Sequence, residues 1–339
     1  MRMIRKCMAL FLVLVFPLSL LAACGQQTSN TEPNTNDTKN DGQLTIVTTI
    51  FPEYDWVREL LGNQVNSTNL ILLLDNGVDL HSYQPTAEDI AKIADCDLFL
   101  YVGGESDDWV NDALKEFTNP NQKVINLMDV LSDQIKEEEV VEGMEAEEEE
   151  PISAEADEDG PEYDEHVWLS LRNAETICTA ITNALGELDP DHQDIYTAAL
   201  SDYLQKLSSL DDLYRQIVET AARKTLLFGD RFPFRYLVDD YGLTYYAAFV
   251  GCSAESEASF ETISFLAQKV DELALPCVLS IESTQHKIAE TIVQNTKEKN
   301  QKILTMDSMQ ATTSDDVKTG VTYLSVMEQN LSVLKDALN

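Results

Sequence analysis

Basic residues and histidines are scarce in this sequence. Lys and Arg number 23 against 60 Asp and Glu, which gives a formal net charge of −37 at pH 7, and only four histidines occur in 339 residues. A chain of this sign repels the phosphates of DNA and RNA, so nucleic-acid binding is excluded. The acid favours solubility and the attraction of cations. With 44% apolar residues, the length predicts two domains.

Several motifs that would indicate other kinds of protein are also absent. The sequence has no HExxH and no GxSxG, which argues against a secreted zinc hydrolase. It has no CxxC pair, which argues against a thiolate zinc site. It has no repeat array of the kind expected of a surface adhesin. Hydrolase and adhesin remain the alternative classes, and peptide or ester hydrolysis, or matrix binding that survives chelation, would reveal them.

The long apolar run of the sequence lies at the amino terminus. Basic residues precede an apolar segment at 8–23, which is the arrangement of a secretory signal peptide and is short for a bilayer-spanning helix. The segment ends in a Leu-Ala-Ala-Cys sequence that resembles the bacterial lipobox. We predict a signal peptide at 1–23, a lipid on Cys24 and a flexible tether at 24–43. The protein is then expected on the outer face of the cell membrane.

Four cysteines lie beyond the predicted signal peptide and lipid anchor: Cys96, Cys178, Cys252 and Cys277. In an exported chain these thiols can form disulfides. Three complete pairings are possible, and the sequence cannot choose among them. Because Cys252 and Cys277 share the C-terminal half, a bridge between them is the favoured prediction.

Strand-like and helical segments alternate over the rest of the chain. A segment of helical spacing from Asp189 to about Arg223 separates two such alternating regions. The pattern predicts an α/β fold with two βα lobes and mostly parallel sheets, whose ligands bind at the carboxyl ends of the strands. We predict an N-terminal lobe at 44–188, a linking helix at 189–224 and a C-terminal lobe at 225–339.

An acidic run divides the N-terminal lobe. Residues 137–165 contain 16 Asp or Glu in 29 positions and no Lys or Arg. Such a segment repels itself and cannot build a core, so we predict a hydrated loop. It leads directly into His166, Val167, Trp168 and Leu169. Carboxylates that attract cations, followed by a neutral nitrogen donor, indicate metal capture.

These motifs resemble those of the zinc- and manganese-binding subunits of bacterial metal ABC transporters. Phe51-Pro52 with Tyr54 resembles the opening of that family, and residues 77–86 with Asp89 resemble its first metal-histidine loop. The segment that begins at His166 resembles the second such loop. The resemblance extends over nearly all of residues 44–339.

The resemblance implies two αβ lobes joined by a long rigid backbone helix, with a metal ion between them. It identifies His81 and His166 as ligands, and imidazole is a donor well suited to Zn²⁺. We therefore expect a monomer that captures Zn²⁺ and presents it to an ABC permease and its ATPase, without enzymatic activity. An oxygen-rich second lobe would favour Mn²⁺ or Fe²⁺ as the cargo instead.

The C-terminal lobe departs from the family pattern. Counted back from the Tyr-Gly-Leu helix end, Arg231 stands where the family has a His or Glu ligand, and arginine stays protonated. Either Asp230 supplies an oxygen, or water and other carboxylates complete the site while Arg231 pairs with an acid. Asp307 falls where the family has a carboxylate ligand, and Glu282 is expected to support the site or to pair with Arg231. The predicted ligands are thus His81, His166, Asp230 and Asp307.

Overall fold

The computed structural model describes residues 43–116, 118–145, 162–253, 257–282 and 285–339. The predicted signal peptide and Cys24 lie outside the described residues. None of the helices described combines the length and apolar character that crossing a bilayer requires.

The N-terminal lobe is built on a parallel sheet of four strands in the order β2-β1-β3-β4. The strands are β1 (Thr45–Thr48), β2 (Asn69–Leu72), β3 (Leu98–Tyr101) and β4 (Lys123–Asn126). The helices of this half are α1 (Phe51–Leu61), α2 (Ala87–Asp95), α3 (Val110–Ala113), α4 (Leu127–Leu131) and α5 (Leu171–Leu188). Because the strands are parallel, the loops after their carboxyl ends meet at one edge of the sheet.

The C-terminal lobe repeats this arrangement, with a parallel sheet in the order β6-β5-β7-β8. The strands are β5 (Thr225–Phe232), β6 (Thr244–Val250), β7 (Cys277–Ser280) and β8 (Lys302–Thr305). The helices are α7 (Arg235–Tyr241), α8 (Phe260–Leu273), α9 (Lys287–Asn295), α10 (Ser314–Lys318) and α11 (Tyr323–Leu338). The predicted α/β class with two parallel sheets is therefore confirmed.

A long helix, α6 (Gln193–Thr220), connects the two halves. Its 28 residues extend for about 42 Å at 1.5 Å per residue. It packs against α1 and α5 of the first half and against α11 of the second. One continuous hydrophobic core includes Trp56, Leu207, Phe228 and Leu334, so both sheets and the long helix share it.

The closing helix predicted over 317–338 is interrupted. Helix α10 ends at Lys318, and Gly320 adopts a φ of 101°, which a side chain would disfavour. Helix α11 then begins with Thr322 as its N-cap, whose side chain accepts a hydrogen bond from the backbone of Ser325. Apolar spacing continues across the break, so the spacing alone suggested one helix.

The favoured disulfide between Cys252 and Cys277 is wrong, because both are free thiols, as are Cys96 and Cys178. Cys277 begins β7, whereas Cys252 follows the end of β6. The sheet register places Cys277 level with Tyr245 near the start of β6. The two cysteines are therefore separated by roughly 20 Å along the strand direction, and a disulfide needs Cα atoms within about 7 Å.

Candidate metal centre

His81 lies in the loop that follows the carboxyl end of β2. The Asp79 side chain accepts a hydrogen bond from the His81 backbone N–H at 3.0 Å and so caps a single 3-10 turn, Leu80–Ser82. Leu80 is buried in the core. The capped turn and its buried anchor hold the imidazole of His81 beside the cleft.

His166 follows the acidic segment and is fully buried. The next three residues, Val167–Leu169, form a 3-10 turn and are buried as well. The indole N–H of Trp168 donates to the carbonyl of Ser308 at 2.8 Å, and the Tyr323 hydroxyl donates to the carbonyl of Trp168 at 2.7 Å. Contacts to the C-terminal half therefore fix the segment that carries His166.

The two imidazoles point at each other. Their Nε2 atoms are 3.2 Å apart. Two nitrogens bound to one tetrahedral Zn²⁺ at about 2.0–2.1 Å would be separated by about 3.4 Å. The spacing of His81 and His166 is therefore that of a pair of ligands to a shared ion.

The opposite ring nitrogens are held by hydrogen-bond partners. His81 Nδ1 lies 2.8 Å from Ser106 Oγ and 3.4 Å from a carboxylate oxygen of Glu165. His166 Nδ1 lies 3.1 Å from Asp164 Oδ1. An imidazole that donates from Nδ1 presents a lone pair at Nε2, as metal-binding histidines do. When both imidazoles carry their proton on Nδ1, two Nε2 lone pairs face each other across 3.2 Å, and a cation between them stabilises that arrangement.

Glu165 and Asp164 belong to the acidic run, but both are buried. The prediction that the whole run is hydrated is therefore wrong at this end. Burial favours a higher pKa for Glu165, yet hydrogen bonds with His81 and Ser106 outweigh it and lower the pKa below its ordinary value. A Cβ on Gly104, whose φ is 82°, would lie 2.3 Å from the Glu165 carboxylate. A glycine is therefore needed for this close approach.

Cys252 completes a group of three donors. The Sγ atom and one ring nitrogen each of His81 and His166 lie within 4.8 Å of one another. Among the described residues, this is the sole cluster of three or more His, Cys, Asp or Glu side chains with ligand atoms so close. Burial raises the pKa of the Cys252 thiol, and the neighbouring carboxylates of Asp164 and Glu138 add to the effect.

A glycine brings the Cys252 loop against His166. A Cβ built on Gly251 would lie 2.9 Å from the Phe232 carbonyl oxygen and 3.0 Å from His166 Cε1. No larger residue fits without moving the loop or the imidazole. The backbone N–H of Cys252 donates to Glu138 at 3.3 Å, which ties the loop to the first part of the acidic run.

A cavity of about 570 Å³ opens over His81 and Cys252. Six acidic residues line its wall: Glu105, Asp107, Asp108, Glu138, Glu162 and Glu165. A negative cavity above neutral nitrogen donors concentrates cations at the site.

Comparisons with known proteins agree with this arrangement. The model of the family described as zinc-uptake complex component A, periplasmic, matches residues 46–337. The chain belongs to this family. The resemblance inferred from the histidine loops is therefore confirmed.

Curated relatives of the zinc-uptake family include the high-affinity zinc uptake system protein ZnuA of Bacillus subtilis, which is 30% identical over 99% of both chains. The zinc-binding lipoprotein AdcA of Streptococcus pneumoniae is 30% identical over 88% of this chain. This chain spans 57% of the length of AdcA. The relatives are named for zinc binding and uptake and not as enzymes.

Solved structures share the fold. The Zn(II)-bound ZnuA-like domain of Streptococcus pneumoniae AdcA is 28% identical and matches with a TM-score of 0.67, covering 88% of this chain and 99% of that domain. The metal-dependent lipoprotein YcdH of Bacillus subtilis is 26% identical and matches with a TM-score of 0.69, covering 88% of this chain and all of its own.

The structure brings His81 and His166 together, whereas the two predicted oxygen donors are outside this group of close atoms. Asp230 accepts hydrogen bonds from Ser280 Oγ at 2.7 Å and from the backbone N–H of Ile281 at 3.3 Å. Asp307 accepts from the backbone N–H of Met309 at 2.7 Å. Neither carboxylate belongs to the group of close donors. Both are engaged in holding loops of the C-terminal lobe.

Arg231 pairs with an acid, which was one of the two alternatives. Its partner is Asp79 in the His81 loop, although Glu282 had been expected. An oxygen of Asp79 lies 3.9 Å from His81 Nε2, so the guanidinium neutralises a carboxylate beside the histidine pair. The ion pair also joins the two lobes. Glu282 instead accepts hydrogen bonds from Ser308 Oγ at 2.6 Å and the Gln310 N–H at 3.1 Å.

Cys252 is the member of the group that the sequence did not indicate. The absence of a CxxC pair argued against a thiolate site, but a thiol beside two imidazoles needs no second cysteine. A positional signal was available, because Gly251-Cys252 follows directly on β6, at the edge of the sheet where parallel strands present their ligands.

Proposed function

We propose that this protein captures Zn²⁺ in the cleft between its lobes and delivers it to an ABC permease for import. The observation that carries the proposal is the 3.2 Å separation of two imidazole Nε2 atoms whose Nδ1 atoms are both held by hydrogen-bond partners. Zinc favours such nitrogen donors, whereas manganese favours oxygen. The names of the curated relatives, which are zinc-binding and zinc-uptake proteins, support the same cargo.

A competition titration with a chromophoric zinc chelator tests capture. His81→Ala and His166→Ala each remove a ligand, and we expect each to weaken zinc binding by more than about 100-fold. His192→Ala is the matched control, because His192 lies at the start of the long helix and bonds to Asp189. Equal affinity of all three variants and the wild type would overturn the proposed site.

Delivery requires the protein to be held near its permease. We propose that the chain is exported by a signal peptide at 1–23, anchored through a lipid on Cys24 and linked by the tether at 24–43 to lobes at 44–188 and 225–339. Growth of a bacterium that lacks its own zinc-binding subunit, but retains the permease and ATPase, would measure delivery under zinc limitation. Cys24→Ser should release the protein into the medium and reduce growth. Full rescue by this released form would contradict the anchoring proposal.

A further inference from the structure

The histidine pair leaves a shared ion incompletely coordinated. Structural zinc is almost always four-coordinate and tetrahedral, and transported zinc needs donors beyond two imidazoles to be held tightly. The predicted oxygen donors lie outside the group of close donors, and Asp230 bonds to Ser280 while Asp307 bonds to the Met309 backbone. Arg231 carries a positive charge and is paired with Asp79. A donor from the C-terminal lobe must therefore come from another position.

We infer, on the basis of the proposed function, that Cys252 is the third zinc ligand and binds as a thiolate. Its sulfur is the one donor of the C-terminal lobe that the described residues place with the histidine nitrogens, all within 4.8 Å. Bond lengths of about 2.3 Å for zinc to sulfur and about 2.0 Å for zinc to nitrogen require a sulfur to nitrogen separation of about 3.5 Å. Because the three ligand atoms already lie within 4.8 Å of one another, each sulfur to nitrogen separation exceeds that value by at most about 1.3 Å.

Contacts on both sides of Cys252 position its loop beside His166. Gly251 lies so close to His166 that a Cβ would come within 3.0 Å of the imidazole. On the other side, the Cys252 backbone N–H is held by Glu138. Packing against a ligand histidine thus fixes where the thiol stands. As the zinc–sulfur bond forms, the thiol loses its proton to solvent.

A thiolate in the site determines which ions bind well. Two imidazoles and one thiolate form a softer donor set than imidazoles with carboxylates, and soft donors favour Zn²⁺ over Mn²⁺. Cys252 is thereby a specificity-determining residue. The manganese alternative loses its basis, because it rested on oxygen donors from this lobe.

Cobalt(II) is the probe that detects the sulfur directly. In the wild-type protein, bound Co²⁺ should give visible d–d absorption together with a sulfur-to-cobalt charge-transfer band in the near ultraviolet. Cys252→Ser should keep the d–d bands, lose the charge-transfer band and bind zinc about 10- to 100-fold more weakly. Cys277→Ala is the control, because that thiol lies at the opposite end of the sheet, and it should leave the spectrum unchanged.

The possible results distinguish a failure of the Cys252 assignment from a failure of the proposed zinc capture. Cobalt bound with d–d bands but without charge transfer in the wild type, or a charge-transfer band that persists in Cys252→Ser, would overturn the ligand assignment and leave zinc capture intact. Failure of the wild type to bind either cobalt or zinc would overturn both. Cys252→His guards against a folding defect in the serine variant, since it should bind zinc while lacking the charge-transfer band.

Discussion

The two lobes have the same strand order but contribute different chemistry to the cleft. The first lobe supplies two imidazoles, each on or next to a short 3-10 turn and each oriented by a hydrogen bond at Nδ1. The second supplies a thiol from the loop after β6 and a guanidinium from β5. The shared topology determines where ligands can stand, at the carboxyl ends of parallel strands. It does not determine which residue types stand there.

Among changes that leave the two histidines in place, the largest effect should come from filling the contact between the lobes at Gly251. In Gly251→Val, the side chain must displace the Phe232 carbonyl or the imidazole of His166. We expect zinc affinity to fall by about 100-fold, because a displaced His166 imidazole is no longer oriented for binding the ion. Competition titration measures it.

Gly242→Ala is the control for Gly251→Val. Gly242 has a φ of 65° and no atom within 4 Å of a built Cβ, so this variant should lose stability without losing zinc affinity. If Gly251→Val binds zinc like the wild type, the second lobe does not position its loop through His166.

Changes to the ion pair between Asp79 and Arg231 should have a smaller effect on zinc affinity. The direction of that effect should depend on which of the two charges is removed. Asp79→Asn leaves the Arg231 guanidinium unpaired near the histidines, so zinc affinity should fall, by about 10-fold. Arg231→Gln frees the Asp79 carboxylate and should raise zinc affinity. The double variant should return towards the wild type. Titration of all four proteins measures these effects, and unchanged zinc affinity in both single variants would show that the pair does not act on the site.

The first lobe should make a pH-dependent contribution to the stability of the protein that the second lobe lacks at the corresponding position. After its central strand β1, the buried Glu53 side chain accepts hydrogen bonds from the Thr49 and Ile50 backbone, whereas the corresponding region after β5 has Phe234. Burial, reinforced by Asp107, raises the pKa of Glu53 from 4.5 to about 8. Since the folded-state pKa is the higher one, this contribution to stability is complete below about pH 4.5 and is lost as pH rises towards 8.

Glu53→Gln removes that titration. Between pH 5 and 8, the wild type should lose up to about 1.4 kcal/mol of unfolding free energy per pH unit relative to the variant. Urea denaturation of chelator-treated protein at several pH values measures this difference. Parallel curves for the two proteins would refute the assignment to Glu53.

The smallest effect should come from the wall of the acidic cavity. Asp108→Asn with Glu162→Gln removes two exposed charges of the cavity and should slow zinc association a few-fold at low salt, with less effect at high salt. Stopped-flow binding measures the rate. Glu328→Gln on α11, combined with Asp212→Asn on the long helix, makes the same charge change elsewhere and should leave the rate unchanged. Equal slowing by both pairs would mean that net charge alone attracts the cation.

Much of the fold could be predicted from the sequence because apolar strands and helices alternate clearly. The predicted strand at 98–102 is observed as Leu98–Tyr101, and the predicted helix at 171–188 has those bounds. The histidines could be placed because each stands in an extended motif. Their exact partners could not, since Ser106 and Cys252 come from distant positions in the chain.

The predicted oxygen donor of β5 illustrates a second limit. The pairing of β5 with β6 shifts register between Phe228 and Arg231, and in this irregular stretch Arg231 turns towards Asp79 while Asp230 turns to Ser280. Counting along the sequence led to β5, whereas the close donor of this lobe, Cys252, follows β6. Only the hydrogen bond to Ser280 of β7 shows that the Asp230 carboxylate is engaged within its own lobe.

The continuous core along α6 has a consequence for how the molecule unfolds. Trp56, Tyr214, Phe228 and Tyr323 are all fully buried in it, and they come from the first half, the long helix and the second half. Separating the halves would expose these aromatic surfaces to water. Calorimetry should therefore record a single cooperative melting transition, and neither half expressed alone should remain soluble.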